Sequence, residues 1–364
     1  MKLTVLNVAY PLAPVGPQEV GGAEQVLSRL DRALTRNGHN SIVIATSDST
    51  VYGRHVPIAQ TPAPYDHAAI ARARQSCRDA LQAVLSAHDI DVVHMHGVDF
   101  AECLPAPNVP VLATLHLPIQ WYSPRALRPA RPATWLNCVS QAQHEVCPPS
   151  PSLIDPILNG VTIDDRPDDR ADDRRDDRLL AKKGRYALVL GRICPEKGVH
   201  IAMNAAARAR VPLVIAGKVF PYPAHLEYFE HAVTPRLGST HSYIGPVSGK
   251  KKHRILASAR CLIVASLVPE TSSLVAMEAL AAGTPVVAFA NGALPEIIDH
   301  GKTGLLVSDE DEMAAAIEQV DRLSPQACRT AARERFDVRQ MIDRYFGFYE
   351  KIARLHSGHP GQAA

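Results

Sequence analysis

No stretch of this 364-residue chain is long and apolar enough to cross a bilayer. The opening residues, 1–8, read as a strand and lack the apolar core of a secretory leader. There is no C-x-x-C pair. The seven cysteines, Cys77, Cys103, Cys138, Cys147, Cys194, Cys261 and Cys328, are scattered and odd in number. Free core thiols in a reducing compartment account for them most simply. A formal net charge of +2 gives no global argument for a nucleic-acid partner. No Gly-x-Gly-x-x-Gly sequence and no complete phosphate loop ending in Gly-Lys-Ser/Thr is present. That argues against a dinucleotide-dependent dehydrogenase and a P-loop enzyme. We therefore expect a cytoplasmic protein without nucleic acid, with contact to a membrane surface left open.

What is present is ordinary for a globular protein: 46% apolar residues and 21% charged. The length suits two domains. Apolar strand-like runs at 3–9, 41–45, 91–96, 109–115, 135–140 and 156–158 alternate with helical patterns at 23–37 and 68–87. Residues 164–178 then read DDRPDDRADDRRDDR, a tetrad repeat with no large apolar side chain. Its aspartates could be imagined around a metal, but low complexity and the interleaved arginines favour a solvated spacer. Strand patterns restart at 186–190, 212–216, 242–245, 262–265, 285–289 and 304–307. Helical ones lie at 199–207, 250–259, 274–282, 310–323 and 338–355. Such alternation predicts parallel sheets with helices on both faces. We divide the chain into a first domain over 1–163, a linker over 164–183, a second domain over 184–337, and a closing helix and tail over 338–364.

The most informative segment is 269–296, PETSSLVAMEALAAGTPVVAFANGALPE. Glu270 precedes a predicted helix and Glu278 lies about one turn inside it. Free N–H groups at that helix start suit an anion such as a diphosphate, and the two carboxylates could hold hydroxyls on either side. Alone, the glutamate pair is equally an ordinary helix–strand unit with exposed acids. A second segment, GRICPEKG over 191–198, follows the apolar strand YALVL. Arg192 at the strand end and Lys197 before the next helix can converge on paired phosphates, one as a planar fork and one as a mobile point charge. The plainer alternative is an exposed turn with charge at both ends.

Together these segments resemble the Glu-x7-Glu signature and the G-R-x-x-x-x-K-G element of retaining nucleotide-sugar glycosyltransferases of family 4. The GALPEII turn and the GLLV strand follow in that family's order. The resemblance implies the α/β GT-B fold: two Rossmann-like doubly wound domains facing each other across a cleft. It implies a donor such as a UDP- or GDP-sugar held by the second domain. The acceptor, held by the first, would be a sugar, a lipid-linked species or a small molecule. No cofactor and no metal is expected. Arg192 and Lys197 would hold the diphosphate, and either substitution should cost turnover far more than stability. Glu278 would hold the ribose. Glu270, with backbone N–H groups of Thr271, Ser272, Ser273 and Leu274, would hold the transferred sugar, which His116 would orient. Many relatives carry Gly-Phe-Gly where this chain has Thr271-Ser272-Ser273, so sugar selectivity is open.

Weaker candidates remain. Gly21 and Gly22, after the first strand, resemble the family's glycine-rich loop facing the donor and acceptor. Their alternative is a turn needing one positive φ. His94 and His96 invite a metal, yet no third ligand is identifiable, so structural or supporting histidines are favoured. His96 is a weaker candidate than His116 for the sugar contact that the resemblance implies. Gly217 and Val247 end strand regions where nucleotide contacts fall in the family, and both fit plain turn chemistry. Lys250 to Arg254 reads as a solvated basic face. An epimerase or hydrolase on this fold, or a non-catalytic nucleotide-sugar binder, remain alternatives to a transferase.

Overall fold

The computed structural model describes residues 1–17, 19, 21–63, 65–163 and 186–357. The spacer predicted at 164–183 lies outside them. The chain divides into two compact units, Met1–Leu158 with Arg339–Ala364, and Asn159–Val338.

The first unit is built on six parallel strands: β1 (Thr4–Val8), β2 (Asn40–Thr46), β3 (Arg54–Ile58), β4 (Val92–Met95), β5 (Val111–Leu115) and β6 (Thr134–Cys138). Their order is β3-β2-β1-β4-β5-β6. β4 and β5 are buried at every position, as expected for a sheet covered on both faces. Helices α1 (Gly22–Arg36) and α2 (His67–Ala87) supply covering layers, with short helices α3 (Pro124–Leu127) and α4 (Gln141–Val146) behind the later strands. Asp66 caps α2 by accepting from the Ala69 N–H at 2.7 Å.

The second unit repeats the plan with β7 (Ala187–Leu190), β8 (Leu213–Ala216), β9 (His241–Tyr243), β10 (Cys261–Val264), β11 (Val286–Phe289) and β12 (Gly304–Val307), ordered β12-β11-β10-β7-β8-β9. Counted from its own first strand this is the same 3-2-1-4-5-6 order. Its helices are α5 (Val199–Arg208), α6 (Pro223–Tyr228), α7 (Gly249–Ser258), α8 (Leu274–Ala281), α9 (Leu294–Ile297), α10 (Glu310–Gln319) and α11 (Pro325–Arg335). Each sheet therefore reverses winding between its first and fourth strands, β1/β4 and β7/β10. Ligands of open α/β sheets bind beyond the strand ends at such a point.

The last helix, α12 (Val338–Ser357), returns to the first unit. Tyr345 and Tyr349 are fully buried there. The Tyr349 hydroxyl lies 2.6 Å from His94 Nδ1, and the Tyr345 hydroxyl 3.2 Å from both Thr114 Oγ1 and Asn137 Nδ2. These bonds satisfy polar groups that would otherwise destabilise the core.

Several elements differ from the sequence reading, among them the short helices α3, α4, α6 and α9, which it did not include. Residues 156–158 form no strand; Ile157 only donates its N–H to Cys138 O at 3.1 Å. β3 was not anticipated, because RHVPI carries a proline; it sits at the sheet edge, where a missing N–H is tolerated. α11 was also missed. Its buried face is Cys328, Ala331 and Ala332, too small to give a clear apolar stripe. Among the described residues, no helix is long and apolar enough to cross a membrane.

Candidate functional site

In the second unit, Arg192, Lys197 and Glu270 come together at the ends of β7 and β10, the switch point of the sheet. β7 ends at Leu190, and Gly191-Arg192 lead into a 3-10 turn over Pro195–Lys197. Gly198 then takes φ +58°, and a Cβ there would stand 2.2 Å from Ala265 O. Glycine lets the Lys197 turn lie against the end of β10. From the other side, Leu267 donates its N–H to Glu196 O at 2.8 Å.

Glu270 follows β10 in the loop before α8. Only 9% of it is exposed. Its Oε1 receives Lys197 Nζ at 2.5 Å, and the Ser266 hydroxyl donates to the same oxygen. Burial pushes the Glu270 carboxyl up. The Lys197 charge and hydrogen bond, the Ser266 bond and the Arg192 charge together outweigh burial and hold it below the usual carboxylate range. The backbone is pinned as well. Ala293 donates its N–H to Glu270 O at 2.8 Å, and Gly292, at φ +62°, leaves room for the approach, since a Cβ there would lie 2.3 Å from that oxygen.

α8 starts at Leu274 behind Ser273, whose side chain makes no capping bond to it. Ser273 is buried, Thr271 and Ser272 half-buried. The Ser272 hydroxyl is a buried oxygen without a hydrogen-bond partner. Glu278, one turn into the helix, pairs with Lys252 at 2.8 Å, with the two side chains 15% and 24% exposed. Lys252 belongs to the basic run read as a solvated face; one of its lysines is instead committed to a predicted site glutamate. Gly217 closes β8 with its backbone against the arginine-bearing turn: a Cβ there would lie 1.7 Å from Gly191 O. Val247 is buried just ahead of α7. For Gly217 that close approach requires the glycine.

The remaining predicted residues lie in the first unit. Gly21 is the N-cap of α1 with φ −72°, and Gly22 opens the helix. Neither has a positive φ, so the turn alternative does not account for them. His94 spends both ring nitrogens on Tyr349 and Thr114 at 2.6 and 2.7 Å, which leaves none for a metal. His96 Nδ1 lies 3.0 Å from His116 Nε2, and the rings stack with centroids 5.3 Å apart. All three imidazoles are buried. Burial drives His116 down to about 3 and holds His94 and His96 well below the usual histidine range, so the cluster is neutral at pH 7.

Sequence reasoning missed Ser266 and Lys252. Ser266 had a signal, as a polar residue closing the apolar run CLIVA four positions before Glu270. Lys252 had none, because its contact joins two helices 26 residues apart.

The family model "Glycosyl transferases group 1" matches residues 170–335, and the model "Glycosyltransferase Family 4" matches residues 20–155. A D-inositol 3-phosphate glycosyltransferase of Mycobacterium sp. (strain KMS) is 33% identical over 191 residues, covering 50% of this chain and 43% of that protein. The match thus spans less than half of that relative's length. Among solved structures, AviGT4, a glycosyltransferase involved in avilamycin A biosynthesis, has a TM-score of 0.68 at 25% identity, over 98% of this chain and 99% of its own. The Anabaena protein HepE, solved in complex with UDP and glucose, has a TM-score of 0.72 at 19% identity, over 96% and 99%. That likeness shows the fold. With one model on each unit and the two six-stranded sheets of GT-B structures, the chain belongs to the group 1, family 4 glycosyltransferases.

Proposed function

We propose that this chain transfers a sugar from a nucleoside-diphosphate sugar to an acceptor hydroxyl with retention of anomeric configuration. The observation that carries the reading is Arg192 and Lys197 acting together on a buried, ionised Glu270, just ahead of the α8 N-terminus and at a switch point. Two cations, one of them held by Glu270, and a helix start favour a diphosphate leaving group. The Lys197 ammonium has three N–H donors, and one serves Glu270. The others can take phosphate oxygens without breaking that pair. Charge on the departing diphosphate is then met by groups already in place, and no metal is needed to hold it.

Glu270 is assigned to hydroxyls of the transferred sugar. Its anionic form only accepts hydrogen bonds, and its anchored backbone fixes their direction. The unpartnered Ser272 hydroxyl, in a loop where many relatives carry Gly-Phe-Gly, offers a further sugar contact. Glu278, held by Lys252, is assigned to the ribose. His116 is assigned to orienting the sugar on the resemblance alone. As a neutral imidazole it would do so by hydrogen bonding. HepE complexes with UDP, and with UDP and glucose, support a donor of this class.

The test is a panel of UDP- and GDP-sugars followed by mass spectrometry, with and without sugar, lipid-linked and small-molecule acceptors. Acceptor-dependent nucleotide release and an α-linked product from an α-donor are expected. Release without acceptor points to a hydrolase, a new sugar nucleotide to an epimerase, and binding without release to a non-catalytic role.

A further inference from the structure

The turn that carries Lys197 also presents two side chains that the proposed transfer does not use. Cys194 and Glu196 flank Pro195, and His225 reaches them from α6. One ligand atom of each lies within 4.8 Å of the others. Cys194 is fully buried and His225 is 8% exposed. Glu196 Oε2 and His225 Nδ1 are buried atoms with no hydrogen-bond partner. Orphaned polar atoms of this kind are destabilising, and two converging on one thiol call for a common partner.

We propose that Cys194, Glu196 and His225 form a binding site for a divalent transition-metal cation of the Zn²⁺ class. Thiolate sulfur, imidazole nitrogen and carboxylate oxygen are the three donor types that zinc takes. Mg²⁺ and Ca²⁺ want oxygen shells, which a buried thiol and imidazole cannot supply. With Zn–S of about 2.3 Å and Zn–N of about 2.0 Å, tetrahedral corners lie about 3.5 Å apart. Ligand atoms within 4.8 Å therefore need a closure on the order of 1 Å. Side-chain rotations of Glu196 and His225 provide it. Three protein ligands leave a fourth position for water.

The proton balance is defined. The buried Cys194 thiol is pushed up to about 11, so it is protonated at neutral pH. Burial pushes Glu196 up, but its own backbone N–H, the Cys194 thiol and the Arg192 charge act against that and keep it ionised. Burial keeps His225 neutral. Cation binding replaces the thiol proton, so one proton leaves to buffer per ion, with no change of oxidation state. The bound ion would tie the 194–197 turn to α6. It would stand beside Lys197 rather than on the reacting atoms.

The test uses the full-length protein stripped by chelation, titrated with Co²⁺ and then with Zn²⁺. One Co²⁺ per chain is expected, with a near-ultraviolet thiolate charge-transfer band that Zn²⁺ abolishes. Calorimetry in two buffers of different ionisation enthalpy should show release of one proton. His225→Ala should weaken binding at least about tenfold. Cys194→Ser should remove the band while circular dichroism stays unchanged. Absence of a saturable band, or binding unaltered in His225→Ala, overturns the site, and neither result bears on sugar transfer.

Discussion

Replacing Lys197 by methionine should destabilise the second unit as well as slow the reaction. From sequence alone, Lys197 is a diphosphate ligand whose loss costs turnover far more than stability. The structure places its ammonium 2.5 Å from a carboxylate that is only 9% exposed. Without Lys197, Glu270 keeps the Ser266 bond but loses its main counter-charge. Removing one partner of a fully buried pair costs about 3–5 kcal/mol. The Lys197 side chain is 27% exposed, so water can reach part of the gap. We therefore expect about 2–3 kcal/mol. Lys197→Met with Glu270→Gln removes the stranded charge and should recover at least about 1 kcal/mol of that loss. Turnover should fall in all three variants, because the double change restores neutrality and not the phosphate contact. The assay must report the second unit. Both tryptophans, Trp121 and Trp135, belong to the first, so fluorescence would miss the effect. Hydrogen exchange at β7 and β10 amides in the four proteins reads it directly. Additive effects of the two substitutions, or a Lys197→Met variant within about 0.5 kcal/mol of wild type, would refute the coupling.

Arg192→Ala should cut turnover at least about tenfold, since a charged hydrogen bond is worth roughly 1.5–3 kcal/mol, while β7 exchange changes little; unchanged turnover would remove it from the diphosphate site. Turnover should persist in excess EDTA without added Mg²⁺ or Mn²⁺, and full loss restored by either ion would show that the leaving group needs a metal. The first unit should weaken in acid. His94, His96 and His116 have folded values depressed by burial, so the unfolded chain binds more protons as pH falls below about 6.5. Their stabilisation is complete above that pH and is lost toward the folded values, by up to about 1.4 kcal/mol per pH unit for each histidine. Tryptophan-monitored urea midpoints at pH 7.5 and 5 check this; an equal or higher midpoint at pH 5 contradicts it.

Much of this was legible in the chain. The strands β7, β10 and β11 are short apolar runs closed by glycine, proline or polar residues, and they frame GRICPEKG and PETSS without ambiguity. The convergence of those two segments was not readable. It follows from β7 and β10 being neighbours, which depends on strand order rather than local pattern. The Lys252–Glu278 pair and the Cys194–Glu196–His225 cluster were hidden for the same reason. The first-unit histidines were read only in part. H-x-H on a strand suggests a metal, whereas His94 is consumed by a tyrosine 255 residues later, in a helix that returns to the first unit.

The most direct measurement of the central claim compares Glu278→Gln with Glu270→Gln by calorimetric donor-nucleotide binding and steady-state kinetics. The two acids have separate settings: Glu270 buried against Lys197 in the loop before α8, Glu278 paired with Lys252 within it. A neutral amide is a poorer acceptor for ribose hydroxyls, so Glu278→Gln should weaken nucleotide binding. Glu270→Gln should chiefly lower kcat, because its partner is the sugar whose charge changes during transfer. If both variants bind and turn over like wild type, neither glutamate belongs to a donor site and the assignment of this site is wrong.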